Sequence, residues 1–110
     1  MQMDLGGAMG AGDKLRLSYR PPADAEVPST PGGTLTAGTW HCVQWQYNGA
    51  ADSAKVWLDG TEAVEAPNNW SLAAPFNAFS FGFRHFQTLA AGVDVFYDDF
   101  ALDEAMVPCP

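Results

Sequence analysis

Several groups of side chains in this chain are of types that do chemistry. Glycoside hydrolysis needs two carboxyl groups flanking one bond at a defined separation. The closest candidates are Glu62 with Glu65 and Asp98 with Asp99. On an extended backbone, residues at odd spacing project to opposite faces, so neither pair is expected to close on a common bond. Arg84 and His85 stand side by side and have the chemistry to meet an acidic sugar. With Tyr97 they form a candidate catalytic set for a lyase-like reaction, because Tyr and His both serve as general bases. Asp98 with Asp94, Asp103 and Glu104 is the candidate calcium set, since calcium takes several oxygen ligands. The plainer expectation is that one of Asp98 and Asp99 accepts backbone hydrogen bonds, and that no metal or cofactor is needed. No Ser-His-Asp arrangement or Gly-rich phosphate loop is apparent.

The two cysteines, Cys42 and Cys109, match no zinc spacing. A disulfide pinning the C-terminal tail is the expectation, with two buried free thiols as the alternative. Closing such a loop stabilises a chain by about 4 kcal/mol in the chain-entropy model. It would place the protein in an oxidising compartment.

The elements that position these groups are strands. Leu15, Leu17 and Tyr19 alternate within Lys14–Tyr19. Thr39 to Tyr47 reads as the strongest strand, with His41, Val43, Trp45 and Tyr47 on one face and Trp40, Cys42, Gln44 and Gln46 on the other. His41, in phase with Val43 and Trp45, is expected to be packed and hydrogen-bonded. Ala54 to Leu58 is the next strand, with Val56 and Leu58 opposite Trp57. Asp59-Gly60 then supplies the positive φ angles of a two-residue hairpin turn, and Thr61 to Ala66 returns. Phe76–Phe83 and Val93–Leu102 read as later strands, with Phe96 and Phe100 in the core. The Gly- and Ala-rich residues 1–13 show no periodicity and read as a flexible leader. Pro21, Pro22, Pro28, Pro31 and Gly32-Gly33 mark a long loop.

One domain over residues 14–110 is what this length allows. The chain is 47% hydrophobic and 13% aromatic, enough apolar surface for a core at roughly 1.5–3 kcal/mol per large buried side chain. Five basic against 13 acidic residues give a net charge of −8, which argues against a nucleic-acid partner. No apolar run approaches the roughly 20 residues of a membrane helix, so no membrane partner is expected. Met1-Gln2-Met3-Asp4 lacks the basic flank and apolar stretch of an export signal.

If Val43, Trp45, Tyr47, Val56 and Leu58 face the core, then Gln44, Gln46 and Trp57 face outward, and Tyr97 and Asp99 join them if Phe96 and Phe100 are core. An aromatic ring stacks on the apolar face of a sugar while amides and carboxylates take its hydroxyls, the usual pairing of apolar contact with orienting polar groups. Gln44, Gln46, Trp57, Tyr97 and Asp99 are therefore the candidate ligand-binding residues. The competing expectation is that Trp57 covers a neighbouring loop or subunit.

Gly38-Thr39-Trp40-His41-Cys42-Val43 followed by Val56-Trp57-Leu58-Asp59-Gly60 resembles the hairpin of concanavalin A-like lectin/glucanase domains, especially the laminin-G-like group. Phe79-Ser80-Phe81-Gly82-Phe83 and Val95-Phe96-Tyr97-Asp98-Asp99-Phe100-Ala101-Leu102 are similar to two later strands of those domains. The likeness covers roughly residues 36–109. Cys109, with Cys42, is similar to the pattern of secreted bacterial and fungal members. The resemblance implies an all-β antiparallel jelly roll, a β-sandwich whose concave face binds carbohydrate. The matched segments belong to the second half of such domains, so the first half is missing or reduced to Leu15–Tyr19. A half sandwich leaves an open edge and an uncovered face, to be completed by homodimerisation, strand exchange or a compact rearranged fold. The family's glucanase carboxylate runs are absent here. The function expected is non-catalytic binding of a polysaccharide or oligosaccharide outside the cell. The alternatives are a polysaccharide-degrading glycoside hydrolase or lyase domain and a structural or adhesion module.

Overall fold

The computed structural model describes residues 2–8, 14–20, 27–28, 32–51, 53–67 and 94–110. Its described part is all-β, without a helix. Strands β1 (Gln2–Ala8), β2 (Lys14–Arg20) and β3 (Val27–Pro28) form one antiparallel sheet in the order β1-β2-β3. Strands β4 (Val43–Asn48), β5 (Ser53–Leu58) and β6 (Thr61–Pro67) form a second, in the order β4-β5-β6.

Alternation decides which side of each strand is buried. Leu15 and Leu17 of β2 join Ala54, Val56 and Leu58 of β5 and Val64 of β6 in one buried cluster. Leu35, Trp45, Tyr47 and Ala63 pack against it. Val56 and Leu17 are its most enclosed large side chains, at 0% and 1% exposure. Each large apolar side chain taken fully from water contributes about 1.5–3 kcal/mol, so this small cluster couples β2 to the β4-β5-β6 sheet. Gly32 sits where β2 meets that sheet. It exchanges two 2.9 Å backbone hydrogen bonds with Leu15, and a Cβ built on it would collide with the Ala63 carbonyl.

The Asp59-Gly60 turn forms as its residues dictate. Leu58 pairs with Thr61, and Asp59 and Gly60 take φ values of 51° and 80°, the positive pair that a type I′ turn requires. At the other end of β5, Asn48 Oδ1 accepts Ala51 N–H at 3.0 Å, the side chain standing in for a backbone turn carbonyl.

Five expectations are corrected. The segment read as a flexible leader contains β1, whose Gln2–Ala8 pairs residue for residue with Arg20–Lys14; backbone pairing needs no side-chain alternation, so Gly6, Gly7 and Ala8 gave no periodic signal. The strand expected from Thr39 begins only at Val43, because His41 and Cys42 are drawn to the Asp59 side chain instead of a neighbouring strand. Val43 lies at the strand's entry and is 38% exposed, outside the core. Residues 94–102 form no strand, and Phe96 and Phe100 are exposed; the positive φ of Asp99, 51°, interrupts an extended run there. Glu62 and Glu65 lie on one face, for the reason given below. The Phe76–Phe83 strand lies outside the described residues.

Candidate functional site

The outward face of the β4-β5-β6 sheet carries two rows of side chains across the strands. In the first, Gln44 pairs with Trp57, and Trp57 with Glu62. In the second, Gln46 pairs with Lys55, and Lys55 with Glu65. The burial of Ala54, Val56 and Leu58 turns Lys55 and Trp57 to the other side of β5. Trp57 and Gln44 are half-buried and Gln46 is exposed. Three of the expected ligand residues, Gln44, Gln46 and Trp57, are thus neighbours. Residues directly opposite across strands have Cβ atoms about 4.5–5.5 Å apart, near enough for their side chains to interact.

Lys55, Glu62 and Glu65 also belong to this face, and strand parity concealed the common side of the two glutamates. The register shifts between Val56 and Trp57: Val56 pairs with Val64 but Trp57 with Glu62, leaving Ala63 as the extra residue of a β-bulge. A bulge inserts one residue and reverses the alternation beyond it. Glu62 and Glu65 consequently both reach Lys55 Nζ, at 3.2 and 3.3 Å. The hydrogen bonds that Lys55 donates to these two carboxylates, Glu62 first, raise its pKa above the usual 10.5. The expectation that the two glutamates face opposite ways is corrected, yet the same ammonium engages both of them. The identical parity of Lys55 and Trp57 was the available signal for Lys55; nothing in Thr61-Glu62-Ala63-Val64 announced the bulge.

A second cluster fixes the entry to β4. Thr36 N–H donates to His41 Nε2 at 2.9 Å. With Nε2 accepting, the ring proton lies on Nδ1, and Nδ1–H donates to Asp59 Oδ2 at 2.7 Å. Asp59 Oδ1 accepts Cys42 N–H at 2.9 Å, and Asp59 N–H donates to the Cys42 carbonyl at 2.8 Å. The His41 hydrogen bond, followed by that of Cys42, lowers the Asp59 pKa below 3.8. A histidine oriented by a carboxylate supplies two of the three members of a catalytic triad. Here the nitrogen that would take a nucleophile's proton is already accepting the Thr36 amide, so this pair works as a clamp.

The tail reaches the same place. Cys42 and Cys109 form a disulfide across 67 residues of sequence, with their Cα atoms 5.9 Å apart. Gln44 Nε2–H donates to the Val107 carbonyl at 2.6 Å. Tyr97 and Asp99, the other two expected ligand residues, lie on the exposed 94–102 segment and not in the two rows. Of the calcium candidates, Asp94, Asp98 and Asp103 are exposed. Asp98 Oδ1 accepts Asp99 N–H and Asp103 Oδ1 accepts Ala105 N–H, so both serve local backbone. Among the described residues no three His, Cys, Asp or Glu side chains gather as a metal-binding group. Arg84 and His85 lie outside the described residues.

No protein-family model, curated protein or solved structure matches this chain.

Proposed function

We propose that this chain is a non-catalytic carbohydrate-binding domain of concanavalin A-like jelly-roll type, with the outward face of the β4-β5-β6 sheet as its ligand platform. The observation that carries the reading is the row Gln44–Trp57–Glu62. It sets an indole between an amide and a carboxylate, the combination that stacks on a pyranose face and takes its hydroxyls. Gln46, Lys55 and Glu65 extend the polar surface by one row. The amide and indole neither donate a catalytic proton nor act as nucleophiles under ordinary conditions, and the two carboxylates of this face, Glu62 and Glu65, are both engaged by the Lys55 ammonium, which favours binding over cleavage. The disulfide fits an oxidising, extracellular setting.

Affinity electrophoresis through gels holding soluble β-glucan, xylan or pectin tests the reading. The protein is expected to be retarded in at least one gel, and Trp57→Ala to run there as in a blank gel. Retardation that survives Trp57→Ala would place any binding elsewhere. Reducing ends or unsaturated products released from the same polysaccharides would instead support an enzyme.

A structural or adhesion module is the second reading. It is favoured by the large apolar side chains left in water at Trp40, Phe96, Phe100 and Leu102, each at least 54% exposed. Light scattering separates the two: a monomer across the micromolar range speaks against self-association through these groups.

A further inference from the structure

We propose that the end of the chain, Ala105–Pro110, is a strap that occludes the β4 end of the Gln44–Trp57–Glu62 row and limits how far a glycan can extend across the sheet. The inference rests on the carbohydrate-binding reading and adds a determinant of ligand access to it. Three observations converge. The disulfide ties Cys109 to Cys42 at the residue before β4. Two residues further on, Gln44 spends an N–H on the Val107 carbonyl at 2.6 Å. Gln44 is also the strand partner of Trp57, so the strap holds the amide nearest the stacking ring.

A sugar running along this row from Glu62 over Trp57 meets an amide with one of its two N–H donors already engaged by the strap. The strap has no strand or helix of its own, and Val107 remains 36% exposed. Among the described residues its position rests on the disulfide and on Gln44, because a single exposed hydrogen bond does not hold a tail of this length against its conformational freedom. The Gln46–Lys55–Glu65 row has an exposed amide at its β4 end. The strap thus narrows one row more than the other.

The test compares oxidised protein with the Cys42→Ser/Cys109→Ser double variant and with wild type reduced by a dithiol. Reduction delivers two electrons and two protons to the S–S bond, giving two thiols and the reagent's own disulfide. Affinity gels of β-glucan, xylan and pectin provide the readout, with Trp57→Ala alongside. The strap account expects both released forms to be retarded several-fold more strongly than oxidised protein in a gel where retardation requires Trp57. Trp57-dependent retardation that is equal or weaker after release overturns the strap and leaves the platform standing. Loss of Trp57 dependence, or no retardation in any gel, overturns both. Where the double variant loses its β-sheet circular dichroism, Gln44→Glu in oxidised protein decides, because a carboxylate cannot donate to Val107. Faster amide exchange at Val107 and Cys109 then supports the strap, and unchanged exchange overturns it.

Discussion

Asp59 holds the turn in a left-handed conformation while its carboxylate accepts from both His41 and Cys42. Its lowered pKa has a stability consequence with a definite sign. A carboxyl group more acidic in the folded state stabilises the fold above its unfolded value of 3.8 and loses that contribution as pH falls through the folded value. Asn tolerates the same positive φ but carries no charge. Asp59→Asn is therefore expected to be less stable than wild type at pH 6, with the gap in urea midpoint closing below pH 3.8; a gap that stays constant would contradict the role given to the charge. Lys55 has the opposite sign. Its raised pKa stabilises the fold below 10.5, and the contribution fades as pH rises beyond that. The melting temperature of wild type should accordingly exceed that of Lys55→Met at pH 8 and approach it above pH 11. Both chemistries were present in the residue types, but neither partnership was readable, because His41 and Asp59 are 18 positions apart and the bulge conceals the second glutamate.

Among the elements, the β5–β6 hairpin was the most legible. Asp59-Gly60 announces the turn, and Val56 and Leu58 announce the buried face of β5. Its bulge was not legible, since alternation assumes one residue opposite one residue and Ala63 breaks that count. The reason for the close packing around it is backbone against backbone: Gly32 occupies the space beside the Ala63 carbonyl. Gly32→Ala should thus destabilise by about 1–3 kcal/mol, the usual range for overpacking, read from urea denaturation. An unchanged midpoint would show that Gly32 and β6 do not approach this closely. The β1 strand escaped detection because Gly6, Gly7 and Ala8 supply no face to read, and the 94–102 segment misled because its clean alternation meets no neighbouring strand among the described residues.

At the scale of the molecule, an apolar cluster and a covalent bond both unite described parts. Leu15 and Leu17 attach β2 to the second sheet through the apolar cluster. Leu17→Ala should cost about 2–5 kcal/mol, as for other enclosed leucines, and a loss well under this in chemical denaturation would mean that β2 is only loosely applied. The Cys42–Cys109 disulfide makes the other connection, bringing the chain's end to the start of β4. The pairing followed from having two cysteines, whereas the tail's use of Gln44 came from a contact across 63 positions that no local pattern encodes. The central claim is that Trp57 and its neighbours on the outward face are the ligand platform. Nuclear magnetic resonance titration with β-glucan, xylan and pectin oligosaccharides tests it most directly. The account predicts that one series moves the Trp57 indole N–H and the Gln46 side-chain amide together, with a common dissociation constant. Shifts confined to other residues, or none with any series, would contradict it.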